Sequence, residues 1–255
     1  MRGSNARETL ASGAPSAQSA AAMPMTDLAR AQTWVFDLDN TLYPASCRLF
    51  DQIEAKMRAY IADHLKLDDA GASALKSELF RRHGTTMKGL MLDHGVDPHH
   101  FLDFVHDIDL SPLDGSPALG GVLARLPGRK VIYTNGSTAH AGRVLARLGL
   151  TDQFDGVFDI VAARFVPKPE IEPYREMLDL LGVQAAGAVM VEDMARNLAP
   201  AAELGMTTVW IPNGTEWGDH GQGDHIHHTT HDLAAFLARG IAFGKLSSAA
   251  GRKGF

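Results

Sequence analysis

Four short runs rich in large apolar and β-branched residues constrain this chain more than any other feature. They are Thr33-Trp34-Val35-Phe36, Lys130-Val131-Ile132-Tyr133, Ala188-Val189-Met190-Val191 and Thr207-Thr208-Val209-Trp210-Ile211. None shows the apolar–polar alternation of a strand with one wet face, so each reads as a strand covered on both sides. Each is followed by polar residues and then by a helical pattern, and that alternation predicts an α/β fold built on a parallel, Rossmann-like sheet.

The texture changes between the first two runs. Leu49-Phe50, Ile53, Met57 and Ile61 recur at three- and four-residue spacing, as do Leu75 with Leu79-Phe80, and Phe101 with Phe104-Val105. This is the spacing of amphipathic helices. The expected organisation is therefore an α/β core domain over 31–43 and 114–240, interrupted by an inserted α-helical cap domain over 44–113. Residues 1–30 read as a disordered lead, because MRGSNARETLASGAPSAQSAAAMPM offers almost no large side chain to bury, and MRGS resembles an expression remnant. Residues 241–255 read as a loose C-terminal tail.

At 255 residues the chain has room for such a core plus an insertion. The formal net charge of −6, without a dense Lys/Arg stripe, argues against polymeric nucleic acid as a partner. Cys47 is the only cysteine, which excludes an internal disulfide or a C-x-x-C site. No segment reaches the length of a membrane helix and no secretory signal is evident, so a cytoplasmic location with no membrane partner is expected.

In open α/β sheets ligands sit at the carboxyl ends of the strands. After the first run come Asp37 and Asp39, two residues apart and so on one face of an extended backbone. Two carboxylates aimed into one site repel, and a divalent cation relieves them. The same segment, Asp37 to Thr41, could also be a polar turn capping a helix. Thr134-Asn135-Gly136-Ser137 suits the gripping of phosphoryl oxygens, yet such residues are common at strand-to-helix turns. Lys168 stands between Pro167 and Pro169 on a stiffened backbone, or is a solvated lysine. Glu192-Asp193, with Asn197 four residues beyond the second acid, could complete an oxygen-rich metal site or cap the next helix.

Taken together and in order, DLDNTLY, YTNGS, KPEIEPY and VEDMARNL resemble the four motifs of the haloacid dehalogenase-like (HAD) hydrolase superfamily, over nearly all of residues 33 to 240. The helical insertion resembles that of members with an α-helical cap. VFDLDNTLYPASCRLF and DHIHHTTHDLAAFL look like the pyrimidine 5′-nucleotidase branch, from which Met194 departs where a Ser is common. The resemblance implies a phosphomonoester hydrolase working through an aspartyl-phosphate, with a nucleotide such as UMP or CMP as substrate. Asp37 would be the nucleophile and Asp39 the general acid and base. Thr134, the Asn135 backbone and Lys168 would hold the phosphoryl group. Mg²⁺ would be bound by Asp37, the Asp39 carbonyl, Asp193 and Glu192, the last directly or through water, with Thr41 in support and Asn197 orienting Lys168 or the metal shell. An acid at position 39 also disfavours dehalogenation, since dehalogenating members lack one there.

Three alternatives remain open on the sequence. One is a phosphatase of another small metabolite, such as phosphoglycolate or a sugar phosphate. The others are a phosphomutase and a phosphate-binding protein without turnover. The histidines at 220, 225, 227, 228 and 231 fit no standard zinc spacing and read as a loop, with Trp210 and Trp217 as packing residues. Arg48, Arg81, Arg82 and Lys88 carry no assigned role.

Overall fold

The computed structural model describes residues 22–250, apart from the side chains at 216, 217 and 244–250. All four expected strands are present as β1 (Thr33–Phe36), β2 (Arg129–Tyr133), β4 (Ala188–Glu192) and β5 (Thr207–Trp210). Two more, β3 (Gly156–Phe158) and β6 (His228–Thr229), flank them. They have three and two residues, too few to show a periodicity. All six pair in parallel in the order β3-β2-β1-β4-β5-β6.

That order places β1 at the point where the connections reverse direction, and the crevice there lies outside the carboxyl ends of β1 and its neighbours. Phe36 is in register with Ile132 on one side and Val191 on the other. The next residues, Asp37, Tyr133 and Glu192, therefore lie side by side at the carboxyl ends of the three strands. The sequence sets this alignment because the apolar runs of β1 and β4 end at the same level, with that of β2 ending one residue later.

The sheet is buried on both faces, as its continuous apolar runs require. Trp34, Phe36, Ile132, Val189 and Val191 pack on one side against α5 (Pro117–Leu123), α6 (Thr138–Leu148) and α10 (Leu233–Ala250). Val35, Val131, Tyr133 and Met190 pack on the other against α7 (Ile171–Leu181) and α8 (Leu198–Glu203). Each such side chain contributes about 1.5–3 kcal/mol by leaving water. At the turn into β2, Gly128 has φ +87°, and a Cβ there would lie 2.5 Å from the carbonyl oxygen of Ala31, so the approach demands glycine.

Between β1 and α5 lie four helices, α1 (Leu49–Leu65), α2 (Asp69–His83), α3 (Thr86–His94) and α4 (Pro98–Val105). Their starts are written locally: Asp68, Thr85 and Asp97 accept hydrogen bonds from Gly71, Lys88 and His99 amides, and Pro98 follows Asp97 at the first helical position. Ile53, Ile61, Leu79, Leu90 and Phe101 form their shared core, whereas Phe50 and Phe104 from the same pattern face outward. Two residues from elsewhere join that core: Ile160 is fully enclosed in it and Phe165 packs against it.

The chain ends depart from expectation. Within the supposed lead, Leu28 is completely buried and the Met23 amide donates to Thr207 Oγ1, so ordered packing begins before residue 31. Residues 1–21 lie outside the described part. The tail is corrected too, since α10 runs on to Ala250, with Ile241 buried in the core; residues 251–255 lie outside the described part. Among the described residues no helix is long and apolar enough to cross a membrane.

Candidate active site

Asp37 follows β1 directly, and both its carboxylate oxygens are held. Lys168 Nζ donates to Oδ1 at 2.7 Å, and Thr41 Oγ1 donates to Oδ2 at 3.0 Å. Thr41 can reach back because Asn40 takes a left-handed conformation, φ 61°, which turns the chain sharply after Leu38-Asp39. Asn is one of the few residues to do so at modest cost, through its short polar side chain. The polar-turn reading is thus correct as geometry, and the turn serves the carboxylate.

Lys168 is not a solvated lysine. Its side chain is 1% exposed, and Nζ also lies 3.1 Å from the Tyr133 carbonyl and 3.4 Å from Glu192 Oε1. Burial alone would drive the ammonium to shed its proton, but Asp37 and Glu192 outweigh burial and hold the proton more tightly than in water. Asn135 fixes the lysine's backbone, accepting from Lys168 N at 2.9 Å and donating to its carbonyl at 3.5 Å. The sequence reading gave Asn135 a phosphate-binding amide; the side chain has this further task.

Glu192 and Asp193 extend β4, and Asp37, Glu192 and Asp193 can each offer an oxygen to a point where all three lie within 4.8 Å of one another. Asn197 donates to Glu192 Oε1, so of its two expected duties it performs the one toward the acids. Glu192 Oε2 is buried and has no partner among the described residues. Burial, followed by the nearby Asp37, raises the Glu192 pKa well above the ordinary carboxylate range, despite Lys168. The same two causes raise Asp193 to about 7, against the Asn213 amide that donates to its Oδ2 at 2.6 Å. Three acids facing one ammonium leave a buried excess of negative charge. Together with an orphaned carboxylate oxygen and an all-oxygen donor set, that excess fits a hard divalent cation.

Asp39 stands apart. Its carboxylate is not in the three-acid group; instead Oδ1 accepts from Tyr43 Oη at 2.6 Å and meets His140 Nε2 at 2.9 Å. Burial would raise its pKa, but His140 and the Tyr43 hydroxyl prevail and hold it at about 2. Thr134 follows β2, is buried, and accepts the Gly136 amide at 2.9 Å. That tight turn has little room for a larger residue, since a Cβ on Gly136 would come within 3.2 Å of His140 Cδ2.

Three contributors escaped the sequence reading. Tyr43 and His140 hold Asp39, and Asn213 holds Asp193. Asn213 lies just beyond β5, so the strand-end rule applied to the fourth run would have found it. His140 gives a weaker signal, a buried histidine in the first turn of the helix after β2. Asp159 was also passed over, and its role is architectural: Oδ2 accepts from Thr138 N and Oγ1, and Oδ1 from Ala162 N. The histidine-rich stretch is not all loop, since His228 lies in β6; His225, His227 and His228 pair with the Ala195 carbonyl, Thr208 and the Met23 carbonyl respectively. Trp210 is a core residue whose Nε1 donates to the Asp193 carbonyl; the Trp217 side chain lies outside the described residues.

Comparison with known proteins agrees with this architecture. A phosphoglycolate phosphatase from Rhodospirillum rubrum is 30% identical over 196 residues, covering 71% of this chain and 79% of that protein. "Phosphate metabolism protein 8" from Saccharomyces cerevisiae is 27% identical over 205 residues, covering 72% of this chain but only 62% of the yeast protein. Among solved structures, a HAD phosphatase from Thermococcus onnurineus matches with TM-score 0.56 at 22% identity, over 84% of this chain and 98% of that one. A 2-haloacid dehalogenase from Pseudomonas syringae pv. tomato matches with TM-score 0.51 at 23% identity, over 82% and 99%. These structural likenesses establish the fold and do not separate the two chemistries. Residues 32–205 match the family itself, and with the ordered motifs converging on one crevice, the chain belongs to the haloacid dehalogenase-like hydrolases.

Proposed function

We propose that this chain is a Mg²⁺-dependent phosphomonoester hydrolase with Asp37 as nucleophile, acting on pyrimidine nucleoside 5′-monophosphates. The observation that carries the reading is the division of labour among acids at the carboxyl ends of the two central strands. Asp37, Glu192 and Asp193 form a group around a buried lysine, while Asp39 is held separately by Tyr43 and His140.

Asp37 would attack phosphorus, displacing the alcohol and forming a phosphoaspartate, which water then hydrolyses. Asp39 would give a proton to the leaving oxygen and later take one from the attacking water. Its low pKa in the free site is countered when a phosphate dianion adds negative charge beside it. Lys168 and Thr134 would steady the charge on the transferring group. Asp37, Asp193, Glu192 and the Asp39 carbonyl would hold Mg²⁺, which would supply charge neutralisation between nucleophile and phosphate. The acid at position 39 supports phosphoryl transfer over dehalogenation.

The nucleotide assignment rests on the segments around Asp37 and the histidine-rich loop. A second reading, phosphoglycolate, is favoured by the 30% identical relative that bears that activity in its name. Phosphate release from UMP, CMP, phosphoglycolate and hexose phosphates with Mg²⁺ decides between them. Retention of phosphate on a hexose would indicate a mutase, and tight binding with no turnover a non-catalytic role. Wild-type turnover by Asp37→Asn would overturn the mechanism.

A further inference from the structure

Asp39 is gripped unevenly. Tyr43 Oη at 2.6 Å and His140 Nε2 at 2.9 Å both converge on Oδ1. His140 is fully buried, and its Nδ1 has no partner. Among the described residues the acceptor in reach of the ring is Asp39 Oδ1, which faces Nε2, so the network places a donated N–H there.

The ring is also fixed in place. His106, the last residue before the chain leaves α4, stacks on His140 with ring centres 4.3 Å apart and planes 12° from parallel. Gly136 lies against Cδ2 on another side, and the Ser137 hydroxyl at the start of α6 accepts the His140 amide at 3.3 Å while lying 3.3 Å from His106 Nδ1. A leucine would fill such a pocket with no orphaned nitrogen. Packing alone therefore does not account for an imidazole, whereas a donor aimed at Asp39 does.

We infer that His140 is a positioning residue which, with Tyr43, pins Oδ1 of Asp39 and leaves Oδ2 as the oxygen that carries the proton. The inference rests on the reading of Asp39 as general acid and base. In the first half-reaction an Asp37 oxygen bonds to phosphorus, the bond from phosphorus to the bridging oxygen breaks, and the proton on Oδ2 passes to that oxygen, releasing a neutral alcohol. In the second, water bonds to phosphorus as its proton moves to Oδ2, and the aspartyl P–O bond breaks to restore the Asp37 carboxylate. With one oxygen clamped by two donors, the other keeps a constant direction through both halves.

The test is a leaving-group series: p-nitrophenyl, phenyl and benzyl phosphate, in order of increasing need for an acid. kcat/KM is measured for wild type, His140→Phe, His140→Gln and Tyr43→Phe, with Asp39→Asn as reference. General acid–base catalysis is worth about a hundredfold or more, and a misaimed acid loses part of it. His140→Phe and Tyr43→Phe are expected to lose about ten- to a hundredfold on benzyl phosphate and less than about threefold on p-nitrophenyl phosphate. His140→Gln keeps an N–H donor and is expected to recover most of the loss. Equal losses across the series, or a glutamine no better than phenylalanine, would overturn the inference. Tyr43→Phe deletes a single oxygen and decides the matter if His140→Phe fails to fold. Should Asp39→Asn itself show no leaving-group selectivity, the acid–base reading fails instead, and the two failures are told apart.

Discussion

Replacing Asp193 by Asn is expected to stabilise the metal-free protein while abolishing its response to Mg²⁺. Asp193 is 4% exposed, and burial and Asp37 raise its pKa from 3.8 to about 7. Between those values the folded state keeps a proton that the unfolded chain has lost, so stability falls as pH rises through this window and the full penalty applies above it. About three pKa units at 1.36 kcal/mol each set a ceiling of about 4 kcal/mol. Relaxation and proton sharing with Glu192 reduce the expected gain to about 2–4 kcal/mol, or roughly 5–10 °C in melting temperature for a chain of this size. Asn keeps an oxygen to accept the Asn213 amide, so that hydrogen bond survives. Thermal melts in EDTA should show the variant ahead at pH 8, with the advantage at least halved at pH 5 and gone near pH 4. Adding Mg²⁺ at a hundredfold over its dissociation constant should raise wild type by about 3 kcal/mol and leave the variant unmoved. A variant no more stable than wild type at pH 8 in EDTA, or equally ahead at pH 5, would refute the account of buried excess charge.

Lys168→Met should remove turnover and cost about 3–5 kcal/mol in urea unfolding, because it leaves three buried acids without their cation; unchanged stability would show that the ammonium compensates nothing. Thr41→Val keeps the shape but deletes the hydroxyl on Asp37 Oδ2, for an expected loss of about 1–2 kcal/mol and a lower kcat, read by urea unfolding and by steady-state rates. Ile160→Ala opens a cavity in the core of the four inserted helices, with an expected cost of about 2–5 kcal/mol. Its Mg²⁺-induced rise in melting temperature should match wild type, since the acids are untouched.

The sequence made the sheet legible because β1, β2, β4 and β5 are buried on both faces and so carry continuous apolar runs. β3 and β6 are edge strands of three and two residues, defined by what they pair with rather than by a pattern of their own. The candidate site was legible wherever a polar residue directly follows a strand, as with Asp37, Thr134, Glu192 and Asp193. Lys168 was ambiguous in isolation, since nothing in V-P-K-P states that its ammonium is buried; Asp37 and Glu192 supply that information from 131 and 24 residues away. The same applies to His140, whose partner lies 101 residues back. Phe50 and Phe104 show the converse error, in which helical spacing suggested burial and the outer face of the insertion received them.

The inserted helices reach the chemistry by two direct routes. The first is the loop after β3, where Ile160 and Phe165 pack into the core of the helices and Lys168, three residues beyond Phe165, places its ammonium on Asp37. The second is His106, which closes α4 and stacks on the imidazole that holds Asp39. Asp37 sits at the strand end, fixed by the sheet's register, and Asp39 in the turn that follows it. The groups that neutralise the one and aim the other are braced from the insertion's side. A segment that only shielded the crevice from water would need neither contact, so the insertion takes part in arranging the charges at the strand ends.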